Sequence, residues 1–128
     1  MLDSPLISIV DDDDSVRESL RALIRSVGFR AELFASAEEF LNWERLRNTD
    51  CLILDVRMPG MNGLELQRQL AANHYQIPIV FITAHGDEEG RSRALKDGAV
   101  DFLRKPFSED SLLNAIHTAL ESKGNGNK

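Results

Sequence analysis

In the stretch Ile9-Val10-Asp11-Asp12-Asp13-Asp14-Ser15, two β-branched apolar residues run directly into four consecutive carboxylates. Three more chemically capable groups recur in the same situation, at or just past the end of a strand-length apolar run. Asp55 follows CLIL at 51–54, Thr83 closes IVFIT at 79–83, and Lys105-Pro106 follows VDFL at 100–103. Crowded carboxylates raise one another's pKa unless a cation intervenes, and a hard divalent ion with oxygen ligands is the simplest remedy. Mg²⁺ suits such a set because it takes one or two carboxylates, a carbonyl and water and leaves a position for a phosphoryl oxygen. A carboxylate beside Mg²⁺ and a Lys ammonium is a nucleophile for phosphoryl transfer, which would make Asp55 an aspartyl phosphate. Lys105 would help neutralise the transferring group, and the Thr83 hydroxyl could hydrogen-bond one of its oxygens.

Each residue also has a plainer reading. An acidic run before a helix is commonly an N-cap at the positive end of the helix dipole, and Asp13 and Asp14 fit that role. An Asp after a strand is ordinarily a turn residue, and Thr suits a strand end by propensity. Phe102 is by default core. Joint placement favours chemistry, because independent surface residues have no reason to gather on one edge of a sheet.

The elements that must position these groups follow from hydrophobic periodicity. Short apolar runs at 6–10, 30–34, 51–54, 79–83 and 100–103 read as strands, several with few polar positions, as for strands covered on both faces. Between them, Val16, Leu20, Leu23, Ile24 and Val27 recur at helical spacing, and Gly28 supplies a C-terminal stop. Ser36-x-x-Glu39 is a capping-box pattern ahead of a second helix carrying Phe40, Leu41 and Leu46. Leu64, Leu66 and Leu70 mark a third helix ending near Asn73, and 88–97 closed by Gly98 a fourth. Ser108 caps a fifth helix, carrying Leu112, Leu113, Ile116 and Leu120. Strand and helix alternating in this way predict an α/β fold: a doubly wound, five-stranded parallel sheet with right-handed crossovers. Ligands of such sheets bind beyond the carboxyl ends of the strands.

A chain of 128 residues with 42% hydrophobic and 28% charged residues fits one soluble globular domain. Its net charge of −6 argues against a nucleic-acid surface, which needs clustered Lys and Arg, and suits a cation or a basic partner. The single Cys51 has no disulfide partner and reads as a buried, reduced thiol. No apolar stretch reaches the roughly 18 residues of a membrane span and the N-terminus lacks a signal pattern, so a cytoplasmic protein without membrane contact is expected.

The segments IVDDDDSVRESL, LILDVRMPGMNGLEL, IVFITAHGD and GAVDFLRKPF resemble the receiver domains of two-component response regulators, over residues 6–121. The wording ITAHGD and GAVDFLRKPF is closest to the FixJ-like subgroup. The resemblance implies a flavodoxin-like (βα)5 fold with strand order 2-1-3-4-5, and a receiver at 1–122 followed by a flexible tail or linker at 123–128. It implies Asp55 as phosphoacceptor for a sensor histidine kinase, and Mg²⁺, for which Mn²⁺ can substitute. Asp12, Asp55 and the Arg57 carbonyl would ligate the metal directly and Asp11 through water. Lys105 would pair with the acids and then with the phosphoryl group, ahead of a cis Lys105-Pro106 peptide. Thr83 and Phe102 would form the switch, the ring filling space that the hydroxyl vacates; with Phe in place of Tyr, packing alone reports the state. Arg57 and His85 flank the phosphoryl site at positions that tune its lifetime. Homodimerisation on phosphorylation would run through the fourth helix, fifth strand and fifth helix. DNA would be reached only through a separate C-terminal helix-turn-helix domain. The chain would be a signalling switch that catalyses only its own phosphorylation and dephosphorylation.

Two other functions fit less well. A haloacid-dehalogenase-like phosphatase expects a second Asp two residues after the nucleophile, where this chain has Arg57. A flavodoxin-like cofactor binder wants a Ser/Thr/Gly-rich phosphate loop after the first strand, where four acids would repel a phosphate.

Overall fold

The computed structural model describes residues 4–84 and 88–125. Its strands are β1 (Leu6–Val10), β2 (Arg30–Phe34), β3 (Cys51–Asp55), β4 (Ile79–Thr83) and β5 (Asp101–Arg104). The α-helices are α1 (Asp14–Ser26), α2 (Ala37–Leu41), α3 (Gly63–Ala72), α4 (Glu88–Lys96) and α5 (Glu109–Asn125). The strands form one parallel sheet of order β2-β1-β3-β4-β5, as expected of a flavodoxin-like doubly wound fold. Alternate residues of each strand feed two cores. Ile7, Ile9, Cys51, Ile53, Val80 and Ile82 pack with Leu20 and Ile24 of α1 and Leu112 and Ile116 of α5. On the other face Val10, Leu52, Leu54 and Phe81 pack with Phe40 of α2, Leu66 and Leu70 of α3 and Ala94 of α4. The chain runs outward from β1 to β2 and then back past β1 to β3, so crossovers of constant hand put α1 on one face and α2, α3 and α4 on the other. Burial on both faces is why the strands read as unbroken apolar runs rather than as alternation.

Boundaries differ from the expected ones where tertiary pairing decides them. β3 extends to Asp55, which pairs with Ile82, and β5 begins at Asp101 opposite Val80 rather than at residue 100. The second helix is shorter than expected. It stops at Leu41, where Trp43 donates its backbone N–H to the Phe40 carbonyl and turns its ring toward Phe34 and Phe40, at centroid distances of 5.1 and 6.5 Å. Leu46 therefore sits in a separate 3₁₀ turn, Leu46–Asn48, and not on α2. The Ser36 cap is present, accepting from the Glu39 N–H, but the Glu39 carboxylate reaches the N–H of Ala35 instead of closing a box on Ser36. Three helices end in paired 6→1 and 5→2 backbone bonds, with Gly28, His74 and Gly98 at the left-handed position. His74, at φ 64°, is thus a turn residue at the end of α3. Cys51 is buried, and burial together with the Asp50 charge pushes its thiol up to about 12, leaving it unreactive. Among the described residues no helix is long and apolar enough to cross a membrane. The expected tail at 123–128 overlaps the last turn of α5, and 126–128 lie outside the described residues.

Candidate functional site

The C-terminal ends of β1, β3 and β5 bring together what the sequence holds far apart. Asp11 follows β1 and is held there by its backbone N–H, which donates to Phe34 O at 3.2 Å. Its side chain is fully buried; one carboxylate oxygen accepts from the Asp13 N–H at 2.9 Å and the other from Lys105 Nζ at 3.0 Å. Asp55 ends β3 and is buried, while Asp12 is exposed. One carboxylate oxygen from each of Asp11, Asp12 and Asp55 lies within 4.8 Å of the others, a spacing that could hold a metal ion. The four acids of the opening run thus divide. Asp13 is the α1 N-cap, accepting from the Ser15 and Val16 N–H groups, and Asp14 lies in the first turn.

Electrostatics follow from this crowding. Burial, then the neighbouring Asp11 charge, push the Asp55 carboxyl up to about 6; Lys105 and the Arg57 N–H act the other way, and Asp12 adds a further upward push. A cluster of carboxylate oxygens, one carboxyl pushed toward its protonated form by burial and then by neighbouring charge, fits a hard dication chemically. The same shift predicts a pH effect. The folded, metal-free chain holds the Asp55 proton up to about 6, whereas the unfolded chain releases it near 3.8. The resulting stabilisation is complete below the lower value and is lost as pH rises through the higher one. The stability difference between wild type and Asp55→Asn should therefore grow in the variant's favour from pH 4.5 to 7.5 in EDTA. A difference independent of pH would show that Asp55 does not titrate in this window.

Thr83 ends β4, fully buried, and its carbonyl accepts from the Lys105 N–H at 2.7 Å. Phe102 on β5 is buried on the same face, its ring 5.9 Å from that of Phe81. The Lys105-Pro106 peptide is cis. Arg57 is exposed and its backbone N–H bonds the Asp55 carboxylate, whereas His85 lies outside the described residues.

The β3–α3 loop is held by contacts that sequence reasoning missed. Glu38 of α2 accepts from the Met61 N–H at 3.0 Å, which holds its carboxyl below the usual range. Asn62 and Glu65 close a complete capping box whose Asn-x-x-Glu spacing was readable in the sequence. Gly63 opens α3 against the end of β3: a Cβ there would lie 2.4 Å from the Asp55 carbonyl oxygen and 3.1 Å from the Phe81 ring. Since the obstacle is backbone, Gly63→Ala should cost about 1–3 kcal/mol of stability, the range of overpacked cores. Urea denaturation checks this, and a loss under about 0.5 kcal/mol, typical of a neutral surface change, would show that α3 can retreat.

Comparison with known proteins agrees with this geometry. Residues 7–117 match the response regulator receiver domain family. The response regulator protein TmoT of Ectopseudomonas mendocina is 53% identical over 116 residues, covering 91% of this chain and 53% of that protein. The solved response regulator StyR superposes with a TM-score of 0.89 at 52% identity over 97% of this chain and 63% of that one. The crystal structure of FixJ-N does so at 0.84 and 40% identity, over 94% and 96%. The chain spans about half the length of the curated relatives it matches. Fold, acidic cluster and these matches agree, and the chain belongs to the response regulator receiver domain family of two-component signalling, with FixJ among its homologues.

Proposed function

We propose that this domain, taken as residues 1–122, accepts a phosphoryl group on Asp55 from a phosphohistidine of a sensor histidine kinase. The observation that carries the reading is the meeting of Asp11, Asp12 and Asp55 within 4.8 Å, with Lys105 Nζ 3.0 Å from Asp11, at the sheet edge of a receiver-family chain. Asp12, Asp55 and the Arg57 carbonyl would hold Mg²⁺ or Mn²⁺ directly, and Asp11 through water. The ion supplies charge neutralisation at the phosphoryl oxygens. An Asp55 carboxylate oxygen attacks phosphorus in line as the bond from phosphorus to the histidine nitrogen breaks. The departing imidazole keeps the electron pair and takes a proton from solvent. The Lys105 ammonium then moves from Asp11 toward the new phosphoryl oxygens. Hydrolysis restores the carboxylate, so catalysis is confined to the chain's own phosphorylation and dephosphorylation.

Readout would run through Thr83 and Phe102. The hydroxyl turns toward the phosphoryl group and the ring fills the vacated volume, a two-state element biased by local charge. With no phenolic hydroxyl on Phe102, repacking alone alters the surface of α4, β5 and α5, over which two copies dimerise. The output would be transcription, which relatives bearing the name transcriptional regulatory protein support; in this reading DNA is met in the cytoplasm only by a separate helix-turn-helix domain.

Incubation with a small phosphodonor and Mg²⁺ should add one hydroxylamine-labile phosphoryl group per chain and convert monomer to dimer. Equal labelling in EDTA, or labelling elsewhere than Asp55, would remove the basis of this reading.

A further inference from the structure

We infer that Arg17 is a positioning residue for the metal site, clamping the end of β1 to the first turn of α1 so that Asp12 is held where it can serve as a ligand. This rests on the Mg²⁺ reading above. Arg17 Nη1 donates to the Asp11 carbonyl oxygen at 2.6 Å, Nη2 pairs with the Asp14 carboxylate, and the backbone N–H of Arg17 bonds Asp13 O at 3.1 Å. Asp12 lies between the residues so gripped, and its exposed carboxylate is one of the three that converge.

An i,i+3 pair in a first helical turn is ordinarily a solvated contact of little consequence. Two observations set this one apart. The Arg17 side chain is only 14% exposed although Asp14 is 88% exposed, and its second nitrogen goes to a carbonyl at the end of a strand, outside the helix. A planar guanidinium can hold both partners in one geometry, which a point charge cannot. Charge alone gives Arg17 the wrong sign for the site, since a fixed cation beside a cation-binding cluster weakens binding by Coulomb repulsion. Its benefit is that the β1–α1 turn is ordered before the ion arrives, so binding does not have to order it.

The opposed signs make the test decisive. Mg²⁺ is titrated calorimetrically into the metal-free full chain, as wild type and as Arg17→Met, which keeps the apolar stem but loses charge and donors. Positioning predicts a Kd raised by about tenfold, the lower end of the losses from ligand-orienting partners at metal sites. Electrostatics alone predicts a lower Kd, so a Kd unchanged or lowered overturns the assignment while leaving the Mg²⁺ site intact. A wild type that binds no Mg²⁺ overturns the metal reading and this one with it. If Arg17→Met does not fold, Arg17→Lys carries the test. It retains the charge, so weakened binding supports the clamp and wild-type affinity overturns it.

Discussion

Asp55→Asn should abolish labelling by a small phosphodonor, by at least about 100-fold, equivalent to roughly 2.7 kcal/mol in the barrier. The amide oxygen has no full charge to offer phosphorus, and none of the neighbouring acids can replace it. Asp11 is fully buried with both oxygens bonded, to Lys105 and to the Asp13 N–H, and Asp12 lies at the exposed rim. Asn is isosteric, so the fold should survive, and the variant should be more stable than wild type at pH 7.5 without metal. The Asp55 carboxyl, pushed up to about 6, is ionised there against the charges of Asp11 and Asp12, and the substitution removes that repulsion. Loss of labelling with gain of thermal stability is a combination that misfolding cannot produce. Residual labelling at wild-type stoichiometry would move the phosphoacceptor to another residue.

Asp55 was legible because its position is a consequence of periodicity. An apolar run buried on both sheet faces has to end where the strand leaves the core, and parallel strands put all those ends on one edge. The same logic placed Asp11, Thr83 and Lys105, and separated Asp11 and Asp12 from the cap residues Asp13 and Asp14. What the sequence could not show are groups whose role depends on where distant backbone arrives. Glu38 meets the Met61 N–H across 23 residues, and nothing local to α2 points to it. Gly63 reads as a turn glycine until the Asp55 carbonyl is seen to occupy the space of its missing Cβ. The break after Leu41 was hidden because no glycine or proline marks it in Asn42-Trp43-Glu44-Arg45, and it is aromatic packing of Trp43 with Phe34 and Phe40 that takes the chain off the helix. Arg17, six residues from the carbonyl it binds, is an intermediate case: within reach on a helix, yet needing the strand's end to turn back toward it.

Lys105→Ala should separate two roles that act together in the native site. Lys105 Nζ is 3.0 Å from a fully buried Asp11 carboxylate and is one of the groups opposing the upward push on Asp55. Without it, phosphorylation by a small donor at saturating Mg²⁺ should fall about 100-fold, the scale of losing one preorganised donor at a developing charge. Affinity for Mg²⁺ should move in the opposite direction. Removing a unit cation about 4 Å from a dication relieves repulsion of about 2 kcal/mol even at the dielectric of water, or about thirtyfold in Kd. The metal-free variant should also lose stability, because Asp11 and Asp55 then face each other with no cation between them. Excess Mg²⁺ should restore that stability without restoring phosphorylation, since a dication can replace the missing charge but not the donor aimed at the phosphoryl oxygens. Weaker Mg²⁺ binding in Lys105→Ala would mean that the lysine organises the carboxylates rather than competing for them. Arg17 and Lys105 are thus expected to differ in sign: both are cations beside one acidic cluster, yet losing the first should loosen the metal and losing the second should tighten it.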